Sequence, residues 1–290
     1  MRGLFLCLNI LVFVYLKQII LKLTELKSEY LTALRAAVEA SEKIMEIYLN
    51  GFETEFKLDG SPVTQADLAA STIIDSYLET TGIPITSEES IKIDFAIRKE
   101  WKESWCVDPL DGTREFVKKN GEFVVNIALI SNGTPIFGII ASPVNRKILF
   151  GGKEIGVFIV AFHDLTNSEQ WIKLETPKNV NIPLIITCSR SHDSGPILDF
   201  LKELQPKHPE INFIKKGSAL KFFDLAEGKA DAYPRFAPTM EWDIAAGQAI
   251  LEALGGTIVH ATTNQSLVYN KSDLTNPSFL AKSNALLKMQ

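Results

Sequence analysis

The stretch Trp105-Cys106-Val107-Asp108-Pro109-Leu110-Asp111-Gly112-Thr113 decides how the rest of the chain is read. A short apolar run of strand-forming residues stops at two carboxylates three residues apart, and Pro109 and Gly112 shape the turn that carries them. Such a turn points both carboxylates and a backbone carbonyl at one spot. Hard divalent cations want donors of this kind, and Mg2+ in particular is held by a few carboxylates while it keeps water and phosphate oxygens. Taken alone, the stretch reads equally as a capped helix start, with Asp111 or Thr113 as the cap.

The turn has acidic company. Ile83 to Thr86 is another short apolar run that ends at acids, Glu88 and Glu89, and Asp243 opens a helix in Glu241-Trp242-Asp243-Ile244-Ala245-Ala246-Gly247. Singly, the glutamates read as surface residues and Asp243 as a plain N-cap. Adjacent acids repel unless a positive charge sits among them, so their combination with the Asp108 turn points to a cation site.

Around these segments the spacing predicts the following elements. From Thr24, Tyr30, Leu34, Val38, Ser41, Met45 and Tyr48 recur at helical intervals up to Gly51, and a second helix runs from Gln65 to Leu78 after the turn-rich Leu58 to Pro62. Phe123 to Ile130, Thr134 to Ile140 and Arg146 to Phe150, separated by Asn132-Gly133 and Pro143-Val144-Asn145, read as an antiparallel meander. After a polar stretch from Thr166 to Asn181 the pattern alternates: strand Leu184 to Cys188, helix Gly195 to Leu204, strand Phe213 to Lys215, helix Ser218 to Glu227, strand Ala230 to Tyr233, helix from Asp243 to Leu254. The organisation expected is an apolar extension at 1–23, an α+β lobe at 24–165 carrying most of the acids, and an α/β lobe at 166–290 completing the site. The Gly151 to Gly156 stretch lacks the Lys-Ser/Thr ending of a P-loop and reads as a turn.

Composition bounds the function. The chain has 290 residues, 46% hydrophobic, and a net charge of −5, so it has no global positive field for nucleic-acid polymers and must meet an anionic ligand locally. Cys7, Cys106 and Cys188 are far apart and form no C-x-x-C pair, which favours reduced thiols and a cytoplasmic home over a disulfide framework or a zinc site. In residues 1–23 the apolar run Gly3 to Leu16 is followed by Lys17 and Lys22, before the roughly 18 to 20 apolar residues that a spanning helix needs. No small-x-small cleavage site follows, so a structural or mis-started extension ranks ahead of a membrane anchor, with membrane contact through it left open.

The motifs resemble the inositol monophosphatase superfamily of Mg2+-dependent, lithium-sensitive phosphatases. Its first signature corresponds to Asp108-Pro109-Leu110-Asp111-Gly112-Thr113, its second to Trp242-Asp243-Ile244-Ala245-Ala246-Gly247, and its acidic turn to Ser87-Glu88-Glu89-Ser90. Arg114-Glu115-Phe116, Asn120-Gly121-Glu122-Phe123, Ser189-Arg190-Ser191-His192, Gly217-Ser218-Ala219-Leu220-Lys221 and Tyr233-Pro234-Arg235 are similar to the bisphosphate nucleotidase branch. The resemblance implies an α/β (α+β) layered α-β-α-β-α sandwich of the inositol monophosphatase and fructose-1,6-bisphosphatase type. It also implies two or three Mg2+ ions on Glu88, Asp108, the Leu110 carbonyl, Asp111 and Asp243, with Asp108 bridging two of them. Asp67 matches the acid that pairs with Thr113, although by itself it reads as a surface helix residue. With Glu88, these two form the expected catalytic group.

Substrate contacts are expected from the Gly112 and Thr113 amides, from Gly217 and Ser218, from Lys221 and Arg235, and from Asp243. Arg235 suits a second phosphate because a guanidinium binds it bidentately, whereas a solvated face is the ordinary reading of Lys221. His192 reads more readily as a loop or capping residue than as a phosphate ligand. The activity implied is Mg2+-dependent removal of the 3′-phosphate of adenosine 3′,5′-bisphosphate, giving AMP, with 3′-phosphoadenylyl sulfate as a further substrate. Two alternatives stand beside it: the same chemistry on an inositol or sugar phosphate, and a catalytically silent binder or membrane-tethered sensor. Intact acids at Glu88, Asp108, Asp111 and Asp243 argue against silence. The partner is a small phosphorylated molecule, and the sequence gives no oligomeric state.

Overall fold

The amphipathic spacing that ends at Gly51 becomes helix α1 (Ser28–Asn50), which buries Tyr30, Ala33, Leu34, Ala37 and Ile44 on one face. The computed structural model describes residues 26–56, 62–189 and 195–289. The apolar extension, Cys7, most of the turn before the second helix, and His192 lie outside the described residues. Helix α2 (Gln65–Leu78) packs against α1, and the pair covers one face of a seven-stranded sheet.

In spatial order that sheet contains β1 (Ile85–Ser87), β2 (Glu103–Asp111), β3 (Val124–Ser131), β4 (Thr134–Ser142), β5 (Lys147–Gly152), β6 (Gly156–Ala161) and β7 (Ile172–Leu174). β1 runs parallel to β2, and every later pair is antiparallel. The expected meander is present and extends through β6 and β7. β7 lies within the stretch expected to be polar loop, because an edge strand with little burial shows no apolar alternation. Trp105, Val107, Val125, Ile127 and Leu129 face the helix pair, while Cys106, Val124, Ala128 and Ile130 face the opposite core. With both faces covered, the central strands read as continuous apolar runs.

Between β2 and β3 lies the short helix α3 (Thr113–Val117), and the second half supplies β8 (Leu184–Cys188), α4 (Pro196–Leu204), β9 (Ile211–Lys215), α5 (Lys221–Ala226), β10 (Ala232–Arg235), α6 (Glu241–Ala253), β11 (Thr257–His260) and β12 (Phe279–Lys282). The five strands form a mixed sheet in the order β9-β8-β10-β12-β11. α5 and α6 fill the space between the two sheets, and α4 packs on the outer side of the second, so the layers run α-β-α-β-α as expected. The final pair, β11 and β12, goes beyond the alternation read from the sequence. Helix α6 sits tightly in the middle layer. A Cβ on Gly138 would lie 2.2 Å from the Ala246 carbonyl oxygen, and one on Gly247 would lie 2.2 Å from the Phe222 ring. Among the described residues no helix is long and apolar enough to cross a membrane, and Cys106 and Cys188 are buried and form no disulfide with one another.

Candidate active site

The sequence reading ends a strand at Val107, but β2 continues through the acidic turn to Asp111. Asp108 pairs with Asn126 and Asp111 with Val124, so three steps on one strand match two on the other. This bulge decides the chemistry. Residues three apart on a regular strand point to opposite faces, and one extra residue restores the same face, so both carboxylates turn toward the middle layer. The Leu110 amide then donates to Asp108 Oδ1 at 3.0 Å, while the Leu110 side chain packs in the core on the other face. Gly112 follows at φ 99°, and a Cβ there would meet the Glu122 carbonyl oxygen at 2.9 Å and Ser218 Cβ at 3.2 Å. The left-handed turn and the close approach both require glycine.

Glu88 follows β1, and its amide extends the β1–β2 ladder by bonding the Val107 carbonyl at 3.1 Å. Asp243 is the third residue of α6, in its first turn rather than at its cap, because the helix begins at Glu241; the Met240 amide donates to Asp243 Oδ2 at 2.8 Å. Glu88, Asp108 and Asp243 each bring an oxygen into one group whose members lie within 4.8 Å of one another. Burial above all, and then the neighbouring carboxylates, push Asp108 and Asp243 well above the usual carboxylate range. Asp111 is pushed up to about 6, again mainly by burial. Its Oδ2 accepts the Ala219 amide at 2.6 Å and Asn126 Nδ2 at 3.2 Å, so it stands beside the three-acid group and ties it to the second half of the chain. Buried, clustered, all-oxygen donors whose charges disfavour one another match what a hard divalent cation requires.

Asp67 is 2% exposed, which corrects the surface reading. It is the third residue of α2, and its Oδ2 accepts both the Thr64 amide and the Thr64 hydroxyl at 2.7 Å. That capping arrangement leaves Oδ1 to accept the Thr113 hydroxyl at 2.9 Å, while the same hydroxyl lies 3.2 Å from the Leu110 carbonyl. Burial raises Asp67 to about 6 against the opposing hydrogen bonds from Thr64 and Thr113. Asp67 and Asp243 thus share one device: a carboxylate early in a helix gives one oxygen to the backbone three residues earlier and so aims its side chain into the site.

Beside the acids, a cleft is lined by Asp111, Ser189, Ser218, Lys221, Tyr233, Arg235 and Asp243, among others. Lys221 is 3% exposed, against the expectation of a solvated face. The turn at Ser218–Leu220 precedes α5 and places Lys221 at the helix's first position, where it points inward. Its ammonium donates to the Ser218 carbonyl at 2.5 Å and lies 4.9 Å from the centre of the Tyr233 ring. Burial lowers it to about 8, opposed by the charge of Asp111. Arg235 ends β10 and donates to Ser189 Oγ at 2.6 Å and to the Ala237 carbonyl at 3.2 Å. The Gly217 amide is taken by Glu122 Oε2 at 2.8 Å, so the 217–219 turn is held from two sides. Ser218 adopts φ 45° in that turn, and its Oγ is buried without a hydrogen-bond partner among the described residues. Asn126, wholly buried and opposite Asp108, was not singled out from the sequence, because only the strand register reveals it.

Residues 25–289 match the inositol monophosphatase family. The chain is 38% identical over 248 residues to the 3′(2′),5′-bisphosphate nucleotidase CysQ of Salmonella typhimurium, an alignment that covers 84% of this chain and 95% of that protein. The crystal structure of CysQ from Bacteroides thetaiotaomicron, a bacterial member of the inositol monophosphatase family, superposes with a TM-score of 0.76 at 40% identity, covering 87% of this chain and 96% of that one. A solved inositol monophosphatase/NADP phosphatase complexed with Mg2+ and phosphate shares the fold, with a TM-score of 0.67 at 18% identity over 97% of this chain and 92% of its own.

Proposed function

Because the chain belongs to the inositol monophosphatase family, we propose that it is a 3′(2′),5′-bisphosphate nucleotidase, releasing the 3′-phosphate of adenosine 3′,5′-bisphosphate to leave AMP, with 3′-phosphoadenylyl sulfate as a further substrate. The observation that carries this reading is the junction of two unlike regions: the buried acids Glu88, Asp108 and Asp243 adjoin a cleft where Lys221 and Arg235 supply cationic groups. A simple monophosphate needs only the first region, while a nucleotide bisphosphate offers a second anion to the other. Glu88, Asp108, Asp111, Asp243 and the Leu110 carbonyl would hold two or three Mg2+ ions, which when bound neutralise phosphate charge and lower the pKa of water.

The chain's own groups do the rest. The Thr113 hydroxyl donates to Asp67 Oδ1, so its lone pairs are left to accept a proton from the attacking water. Asp67, raised to about 6, is ionised at neutral pH yet basic enough to hold that proton as the bond from water oxygen to phosphorus forms and the P–O3′ bond breaks, its electron pair staying on O3′, which takes a proton from a second water to give the ribose hydroxyl. The amides of Gly112 and Thr113, at the start of α3, would hold phosphate oxygens. Lys221 and Arg235 take the remote phosphate, and the faces of Tyr233 and Phe222 give the cleft apolar surface.

Phosphate release measured on adenosine 3′,5′-bisphosphate, inositol 1-phosphate and fructose 1,6-bisphosphate, each with Mg2+ or excess chelator, tests the reading. The expected result is Mg2+-dependent turnover with kcat/KM highest for the nucleotide. A preference for inositol 1-phosphate would move the chain to another branch of the family, and full turnover in chelator would remove the cation site.

A further inference from the structure

We propose that Arg98, Asn270 and Glu241 form a bridge that fixes the separation of Glu88 from Asp243, acting as positioning residues for cation binding. The proposal rests on the cation-site reading above and adds what holds that site in shape. Glu88 sits in the loop after β1, Asp243 sits on α6, and no strand ladder joins the two segments. Their carboxylates repel, so the loop needs an anchor on the helix if the donors are to stay within reach of one ion.

Two tethers supply it. Lys92 Nζ donates to the carbonyls of Ser87 at 2.5 Å, Glu88 at 2.6 Å and Ser90 at 3.0 Å, and lies 4.8 Å from the centre of the Trp242 ring at the start of α6. The second tether lies deeper. Arg98, 3% exposed, donates through Nε to the Ile93 carbonyl at 2.9 Å, through Nη1 to Asn270 Oδ1 at 2.6 Å, and through Nη2 to the Lys271 carbonyl at 3.1 Å. Asn270 Nδ2 returns a bond to the Arg98 carbonyl at 2.7 Å. The amides of Asn270 and Lys271 and the Lys271 ammonium all donate to Glu241, the 2% exposed first residue of α6, at 2.6, 3.1 and 2.5 Å. An unbroken set of hydrogen bonds therefore runs from the acidic loop through Arg98 and the 270–271 turn to the helix two residues before Asp243. Outer partners of this kind orient ligands and set affinity without touching the metal, because a pre-arranged site spends no binding energy on ordering itself.

The test uses the full chain and Mg2+ titrated by calorimetry, with the Mg2+ dependence of phosphate release as the second readout. Asn270→Gly removes both side-chain links to Arg98, and glycine accepts the φ of 60° at that position. Arg98→Lys keeps the charge and loses the fork, and Glu241→Gln removes the charge that gathers the three donors. Each should weaken Mg2+ binding about tenfold and raise the Mg2+ needed for half-maximal activity by the same factor, with substrate KM at saturating Mg2+ unchanged. The Arg98→Lys, Asn270→Gly double variant should lose little more than its worse parent, since both break one bridge. Asn270→Gly decides the matter if Arg98→Lys does not fold. Mg2+ affinity within twofold of wild type in a variant that melts lower would overturn the proposal, leaving the bridge a stabilising role only. A wild-type chain that binds no Mg2+ would overturn the cation-site reading itself.

Discussion

The acidic side and the cationic side of the site are built differently. Three of the acids are aimed by their own neighbourhoods: Asp108 by the Leu110 amide, Asp67 by Thr64 and Asp243 by the Met240 amide, all within three residues. The cationic side is assembled across long stretches of chain. Arg235 meets Ser189, Ala219 meets Asp111, and Gly217 meets Glu122. Local aiming sets Asp67, Asp108 and Asp243 side chain by side chain, whereas Asp111 and the cleft depend on how the second sheet and α5 are seated. Under this division the chemistry belongs to the acids and the choice of substrate to the cleft.

The largest effect should come from breaking the acidic side. Asp108→Asn or Asp243→Asn should lower kcat at least about a thousandfold, since the site loses several kcal/mol of transition-state charge stabilisation. In chelator the same variants should melt above the wild type, because each removes one of several mutually repelling buried carboxylates. Near wild-type turnover in either would remove that residue from the cation site.

Next in size is the proton pair. Asp67→Asn and Thr113→Ala should each cost about 10²- to 10⁴-fold in kcat. Asp67 is raised to about 6, so wild-type kcat should rise with pH through a limb near that value, and Asp67→Asn should lose the limb. An unchanged pH profile in the variant would assign the proton to another group.

These carboxylates also set a pH dependence of stability. Asp67, Asp108, Asp111 and Asp243 all have folded-state values raised above 3.8, so the folded chain binds more protons than the unfolded one in that window. Stability of the metal-free protein must therefore fall as pH rises from about 4 through 6 and beyond. Melting in chelator at pH 5 and pH 7.5 should show the lower temperature at pH 7.5, and Mg2+ should narrow the gap. A higher melting temperature at pH 7.5 without metal would contradict the raised values.

The same division marks which parts of the site are legible in the amino-acid sequence. The Asp108 turn, the acids after Ser87 and Asp243 were legible because a few contiguous residues carry both the fold signal and the chemistry. Asp67 is legible only through the resemblance that pairs it with Thr113, since nothing in Gln65-Ala66-Asp67 shows the burial that α2 gains by packing beside β2. The bulge that turns Asp108 and Asp111 to one face was hidden, since it is a property of pairing with β3. For Lys221 the bare sequence favours a solvated face over a substrate contact, because its helix is short and the turn at Ser218 that precedes it leaves no periodic signal. Strand β7 escaped for a simpler reason: an exposed edge needs no apolar pattern.

The smallest effect separates the two sides most cleanly. Arg235→Ala should cost about 1.5 to 3 kcal/mol in kcat/KM on adenosine 3′,5′-bisphosphate and much less on a monophosphate. Equal losses on both would give Arg235 a structural role through its bonds to Ser189 and the Ala237 carbonyl.

The most direct measurement is a crystal structure of the chain grown with Mn2+ and AMP and phosphate, with anomalous scattering used to place the metal. The division of labour predicts anomalous peaks among Glu88, Asp108 and Asp243, inorganic phosphate against the Gly112–Thr113 turn, and the nucleotide phosphate against Arg235 and Lys221. Manganese bound elsewhere, or a nucleotide phosphate that ignores both cations while its base occupies the acidic side, would contradict it.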